Sequence, residues 1–418
     1  MKKHRLLTSG FVAVQVIVAA AFAGSLLAVS SQTRDKVRRK LTGRAAYPVV
    51  KIEDDQPLRV DPLYDDSGVV SDEELAAVLE KIRPKFAPQK MKPNYVEHAL
   101  RTWGIDAAFT EPGVLSGVEM RDFLIDHSKF ITSWGKKTPA LLQPEGHGVA
   151  IRWGKVEGAS VHHDHLLASL TEAGISRSQP VYAPGRQSAT LDDILQQALL
   201  DVRLDAREVE WSVMAFALWL PPIKSWTTAD GRQMSFDVLA KRLIRGHNRF
   251  GVCSGTHRVY SLMLLARIDE MMRTNGHDNA RGGLLSAEVL EDVYKHLAAV
   301  RDLISVSQLD DGSWPANWYD GAEAAAFPKD GEDYRKVIAT GHHLEWLAIA
   351  PEMLHPPREQ IRKAAKWIIE DTLGQSDETL RDRYTFYSHV GNALALWRKT
   401  RPADFWRRWR ESHPNQAE

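Results

Sequence analysis

Four histidines and a tryptophan, His165, Trp211, His257, His343 and His389, stand near the starts of apolar stretches, and three of the four intervals between them are 46 residues. Each is followed four or five residues later by small or apolar positions, as in Ser169-Leu170, Ala215-Phe216 and Ala393-Leu394. Imidazole changes charge near neutral pH, so histidines gathered at one place can act as general acid and base. His257 and His343 are the candidate pair. Glu345 lies three residues after His342, on the same face of a helix, and can fix the tautomer of a neighbouring ring.

A metal is the competing use of the same residues. Cys253 stands four residues before His257, and His342, His343 or His165 from neighbouring helices could complete a tetrahedral shell; Cys253, His257 and His343 are the leading set, a thiolate and imidazole group that suits zinc. No Cys-x-x-Cys or His-Glu-x-x-His pattern accompanies it. The plainer alternatives are a histidine that caps and packs at a helix start, and a cysteine that serves as a small buried apolar residue.

A second group of residues suits ligand binding. Trp314-Pro-Ala-Asn-Trp-Tyr-Asp320 combines aromatic faces, an amide and a carboxylate, as saccharide recognition requires, so Trp314, Trp318 and Asp320 join His165, His342 and His389 as candidate ligand-binding residues. Tryptophans at such turns also pack structurally. His162-His163-Asp164-His165 is a further polar cluster, open to metal binding or to helix capping by Asp164.

Helices must position these groups. Apolar periodicity and cap signals predict helices over about 71–82, 95–103, 116–134, 160–173, 190–203, 208–220, 235–246, 256–272, 286–307, 341–350, 357–371 and 384–399, with a short strand near 147–153. Some are apolar on all sides, such as Val213–Leu220, and belong inside; others, such as Ala287–Gln308 and Arg358–Glu370, carry charged faces and belong outside. No extended strand pattern competes after residue 160. The expected fold is all-α, an (α/α) toroid of repeated helix hairpins preceded by an N-terminal membrane or signal helix. Inner-helix N-termini then gather at one mouth, whose free N–H groups suit an anionic ligand or a developing oxyanion.

Two family resemblances rest on single helix pairs. Gln308-Leu-Asp-Asp-Gly-Ser-Trp314 resembles the Gln-x-x-x-Gly-x-Trp repeat of the squalene cyclase and protein prenyltransferase toroids. Gly341-His-His-Leu-Glu-Trp346 is similar to the Gly-His-x-x-Glu-Trp signature of N-acylglucosamine 2-epimerase-like (α/α)6 barrels. Both imply the toroid. The chain lacks the Asp-x-Asp-Asp acid motif of polyprene-protonating cyclases and the Asp, Cys and His zinc pattern of prenyltransferases. It also resembles bacterial envelope-associated proteins built on this repeat, which implies the fold and no chemistry.

Composition sets the outer limits. The 418 residues carry 54 Lys+Arg and 54 Asp+Glu, so no global field favours a nucleic-acid partner. One cysteine leaves no intrachain disulfide, and 44% hydrophobic residues supply the core instead. A basic head, Met1 to Arg5, an apolar run from Phe11 to Ser30 and an Ala21-Phe-Ala23 site make residues 1–30 a signal peptide or single-pass anchor. Residues 31–70 read as a basic and polar linker, 71–155 as the N-terminal helical part, 156–402 as the repeat body and 403–418 as a polar tail. The expectation is a membrane-anchored or exported protein with an extracytoplasmic body. Its leading function is glycan chemistry, as epimerase, lyase or hydrolase, with a small-molecule or glycan ligand; the alternatives are a non-catalytic binding protein and an isoprenoid-handling protein.

Overall fold

The computed structural model describes residues 49–414 apart from 147, 187, 275–281 and 330–333, and before them only 14–16 and 18. Sixteen helices and two short hairpins follow in order among the described residues of the body. They are α1 (Asp72–Lys81), α2 (Pro93–Trp103), α3 (Gly117–Ile125), α4 (His127–Trp134), β1 (Leu142–Pro144), β2 (Val149–Ile151), α5 (His165–Glu172), α6 (Leu191–Asp201) and α7 (Glu210–Trp219). Then come β3 (Ser225–Thr227), β4 (Gln233–Ser235), α8 (Phe236–Arg245), α9 (Thr256–Thr274), α10 (Ala287–Ser307), α11 (Ala322–Ala326), α12 (Tyr334–Ile349), α13 (Arg358–Gly374), α14 (Asp377–Asp382), α15 (Tyr384–Trp397) and α16 (Pro402–Ser412).

The protein is therefore mostly helical, and its helices divide by burial. In α2, α5, α7, α12 and α15 nearly every side chain is buried, so these lie at the centre. Together with the first part of α9 they make contacts that run in a cycle, α2 to α5, α7, α9, α12, α15 and back to α2. Helices with a charged face lie outside. α10 packs on α9 and α8, α13 on α12 and α15, and α1 on α15 and α13.

Local signals explain the helix ends. Ser71 and Glu74 form a reciprocal capping box at the start of α1, as do Ser116 and Glu119 at α3 and Thr190 and Asp193 at α6. The single helix expected over 116–134 is two. Asp126 leaves helical geometry at φ −114°, ψ 110° and caps α4 by accepting from Ser128 N at 2.8 Å. The Gln308–Trp314 turn staples outer elements as its pattern implies. Gln308 Nε2 donates to the carbonyls of Gly312 (2.8 Å) and Gln360 (2.7 Å), and Trp314 Nε1 donates to Ile304 O at 2.8 Å. Gly312 is required there, since its φ is 94° and a Cβ would lie 2.7 Å from Lys363 O.

Four expectations need correction. β3 pairs antiparallel with β4 after residue 160, around a turn containing Asp230-Gly231, whose glycine takes φ 81°. α12 begins at Tyr334, so His342 and His343 stand in the middle of a helix, away from its N-terminus. The stretch read as a polar tail contains α16, which buries Phe405 and Trp406. The linker, from residue 49 on, is an ordered strap across the far ends of the central helices. Leu58 N donates to Leu218 O (2.8 Å), Leu63 N to Ala348 O (3.1 Å) and Asp66 N to Trp397 O (2.8 Å), so the strap satisfies carbonyls that helix C-termini leave free. It also buries Ile52, Val60, Val69 and Val70.

Among the described residues no helix is long and apolar enough to cross a membrane. The segment read as signal or anchor lies outside the described residues, save 14–16 and 18.

A chain beginning at Ser71 should be markedly less stable than one beginning at Val49. The four lost apolar side chains contribute about 1.5 kcal/mol each, which lowers Tm by at least about 5 °C. Differential scanning calorimetry of the two chains checks this, and equal midpoints would return the strap to the status of a linker.

Candidate functional site

Each of the six central helices contributes one ring to a common cluster. His98 comes from α2, His165 from α5, Trp211 from α7, His257 from α9, His342 from α12 and His389 from α15. Ring centroids lie 4.5 Å apart for His98 and His165, 4.1 Å for His165 and Trp211, and 4.1 Å for Trp211 and His257. The cycle continues at 4.3 Å from His257 to His342, 3.8 Å from His342 to His389, and 5.2 Å from His389 back to His98. All six are buried, none more than 5% exposed.

The residue that continues the repeat in α12 is therefore His342 and not His343. On a helix one residue is a turn of about 100°, enough to take a side chain off the shared face. His343 instead faces Trp314 (5.5 Å) and Trp318 (4.7 Å) and accepts from Trp346 Nε1 at 3.0 Å. That bond places the neutral ring's proton on Nε2, and the ring stands off the cycle of six and outside both groups of possible metal ligands. His98 was missed in the sequence because α2 stands outside the 46-residue spacing. Its position five residues before Trp103, in a helix whose other buried positions include Val96, Ala99 and Leu100, was the only signal.

Glu345 organises one side of the cluster. Its carboxylate accepts from His342 Nδ1 (2.8 Å), Asn392 Nδ2 (2.7 Å) and Arg101 Nη1 (3.2 Å), and its Oε2 lies 3.0 Å from His389 Nδ1. A carboxylate only accepts, so His342 carries its proton on Nδ1 and leaves a lone pair on Nε2. Arg101 Nη1 also lies 3.0 Å from His389 Nδ1 and its guanidinium is held by Glu172, which accepts in turn from Tyr260 Oη at 3.0 Å. The sequence singled out Glu345 but neither Arg101 nor Glu172. On the opposite side Glu97 Oε2 lies 2.5 Å from His165 Nδ1 and accepts from Ser160 Oγ at 3.2 Å. Two carboxylate and imidazole pairs thus flank His98, whose own Nδ1 donates to Asn94 O at 2.7 Å.

Burial governs the charge states. Desolvation holds His98 and His257 well below 6.5, with neighbouring rings adding to the effect, and lowers His165 and His342 despite their carboxylates. His343 and His389 are held down at about 3, again chiefly by desolvation. Desolvation opposes the ionised form of Glu345 as well, yet His389 and Arg101 hold its carboxyl well below the usual range. Burial, with the Glu345 charge, pushes the Cys253 thiol up to about 12. The centre is a set of neutral imidazoles around an ionised Glu345 and Arg101.

The turn before α9 brings Cys253 to the cluster. Cys253 (φ 48°), Ser254 (φ 57°) and Gly255 (φ 81°) are successive left-handed residues, a costly run for the two that are not glycine. Gly255 cannot be replaced without movement, because a Cβ would lie 2.5 Å from Asn248 O. Trp318 Nε1 fastens the turn by donating to Ser254 O at 3.1 Å. Two groups have ligand atoms within 4.8 Å of one another: Cys253, His257 and His342, and His342, Glu345 and His389.

The remaining candidates are used by the fold. Trp314 and Trp318 are fully buried and offer no open face to a sugar. Asp320 accepts from Asn317 Nδ2 (3.1 Å) and pairs with Lys329 (3.1 Å) within its own loop. Asp164 does not cap α5; it accepts from Ser212 Oγ at 2.5 Å and pairs with His163 Nδ1 at 3.1 Å. His162 pairs with Glu208 at 2.7 Å, and both lie at the cluster's partly exposed edge.

No protein family, curated protein or solved structure matches the chain.

Two outcomes follow for stability. Glu345→Gln removes the charge opposite Arg101 and replaces one of the two accepting oxygens with a donor, so that either the imidazoles or Arg101 and Asn392 lose their acceptor; unfolding should come about 3 kcal/mol more easily, read as a lower urea midpoint. The second is pH dependence. His98 and His165 titrate below 6.5 when folded and near 6.5 when unfolded, so in acid the unfolded chain binds more protons. Stability is complete above pH 6.5 and falls as the pH drops below it, by up to about 1.4 kcal/mol per pH unit for each histidine. Urea titrations at pH 7.5 and 5.5 check this, and equal midpoints would mean that the rings are already solvated.

Proposed function

We propose that the chain is an (α/α) toroid enzyme that moves protons within a polar, oxygen-rich substrate, a saccharide or uronate, at the cluster between its six central helices. The observation that carries the reading is the pair of buried carboxylates, Glu345 set against His342 of its own helix and His389 of α15, and Glu97 of α2 set against His165 of α5. A carboxylate that fixes one ring nitrogen and leaves the other for a substrate is how an imidazole is prepared for general acid/base work. Nε2 of His389 and both ring nitrogens of His165 have no hydrogen-bond partner among the described residues, Glu97 facing His165 Nδ1 as a close ion-pair contact, and the two rings stand on either side of His98. They are the acid and base in this reading.

Arg101 supports the uronate class. Its Nη2 is buried without a partner among the described residues, and a guanidinium edge is suited to a substrate carboxylate. His162 and His163, at the partly exposed edge of the cluster, have side chains each about a quarter exposed. The body acts outside the cytoplasm or at the membrane, a placement supported by the basic head, apolar run and Ala21-Phe22-Ala23 site of the sequence.

One observation favours a second reading, a toroid that binds a ligand or partner without turning it over. The loop carrying Trp314 and Trp318 closes over His343 and fastens the turn before α9. The isoprenoid reading has no comparable support, since imidazoles, carboxylates and a guanidinium line the cluster.

Proton transfer is visible without knowledge of the product. In deuterium oxide, the protein should exchange the C–H next to the carboxylate of an oligouronate, read by mass spectrometry. His389→Gln should slow that exchange by about 100-fold or more while the fold, followed by circular dichroism, persists. Binding of oligouronates with no exchange would select the binding protein, and neither binding nor exchange would reject the uronate class.

A further inference from the structure

On the side of the cluster that the acid and base leave unused, the Cys253 thiol stands beside the rings of His257 and His342. We propose that Cys253 Sγ, His257 and His342 Nε2 bind one zinc-class divalent ion, with a fourth position open toward His389. The inference takes its location from the cluster described above, but it stands or falls without the assignment of the acid and base.

Three independent observations meet at this point. The ligand atoms of Cys253, His257 and His342 lie within 4.8 Å of one another, and they come from the turn before α9, from α9 and from α12. Bonds of about 2.0–2.3 Å need this set to draw in by only about an ångström. Next, His257 is 1% exposed, and neither of its ring nitrogens has a hydrogen-bond partner among the described residues. A buried imidazole with a donor and an acceptor both unmet costs about 1–3 kcal/mol for each group, and a metal bond removes part of that cost. Lastly, His342 is arranged as metal-bound histidines are, with Nδ1 donating to Glu345 and Nε2 free and buried.

The strained turn has a use in this arrangement. Cys253 and Ser254 are held left-handed by Gly255 and by the Trp318 bond to Ser254 O, which sets the thiol over the first turn of α9, where His257 stands. Cysteine with two imidazoles selects zinc over the hard oxygen-seeking cations. The second acidic group, His342, Glu345 and His389, shares His342 but uses the carboxylate already satisfied by Arg101 and Asn392, so it is the support of the site and not a second one.

The test needs no substrate. Protein produced in medium containing zinc is dialysed against metal-free buffer and analysed by elemental mass spectrometry, then reloaded with cobalt(II). The proposal expects about one equivalent of zinc and, with cobalt, a thiolate-to-metal charge-transfer band in the near ultraviolet. Cys253→Ser should abolish the band and lower zinc occupancy at least tenfold, and His257→Gln should do the same. His343→Gln should keep both, which separates this set from one that uses the neighbouring ring. Circular dichroism of each variant identifies any that fail to fold, and the cobalt spectrum of the unaltered protein remains decisive if one does. A folded wild-type protein that holds no zinc and gives no cobalt band overturns the proposal, as does a band that survives Cys253→Ser. Loss of proton exchange in His389→Gln with zinc retained bears only on the proposed activity.

Discussion

An ionised carboxylate at the centre of a helical protein is the constraint on which the rest of the structure depends. Taking Glu345 out of water carries a penalty of several kcal/mol, and it is offset only while Arg101, His342, His389 and Asn392 all face it. Those partners come from α2, α12 and α15. A slip of one residue in any of the three helices removes a partner and leaves the charge uncompensated. The carboxylate therefore fixes register where apolar side chains, which tolerate sliding, do not.

The same logic reaches the outer structure. α2 meets α15 on one side and α5 on the other, so the Glu345 cluster and the Glu97 and His165 pair are linked through a single helix that carries Glu97, His98 and Arg101 on neighbouring turns. Glu172 and Tyr260 extend the polar chain from Arg101 toward the far ends of the helices, where Arg59, Val60 and Arg401 stand in the same recess. The strap over 49–70 covers those ends by accepting the role of C-terminal cap for α7, α12 and α15. Polar groups buried at one end are thus kept from water by a segment with hardly any regular structure of its own.

Much of the helical order was legible in the sequence, because each element announces itself locally. Ser71 with Glu74 states a helix start, the apolar block Val213–Leu220 states a buried helix, and the 46-residue spacing puts His165, Trp211 and His257 on equivalent faces. What escaped depends on facts that lie away from the residue concerned. His342 and His343 are neighbours in one helix, and which of them faces inward is decided by where α12 starts and how it packs on α9 and α15. His98 and Arg101 lie in a helix outside the regular spacing, and their significance appears only when Glu345 is brought beside them. The strap looked like a linker because it is polar, carries Pro57, Pro62 and Gly68 and lacks periodicity, while its anchors are backbone N–H groups, which carry no side-chain signature. For Trp314 and Trp318 the sequence offered packing and sugar stacking together, and their burial decides for packing.

A core could have been made more cheaply. Five imidazoles in van der Waals contact, all neutral, several with a ring nitrogen unpaired, are a poor way to fill space: leucine or phenylalanine at those positions would bury similar volume with no polar group to satisfy. Packing alone accounts for Trp211, which sits between His165 and His257 at 4.1 Å from each. It does not account for a carboxylate behind His165 and another behind both His342 and His389. The stability given up to keep the imidazoles neutral, dry and aimed at one another is the cost that the proposed proton transfer and metal site would explain, and the strained turn that delivers Cys253 to the same point belongs to the same account.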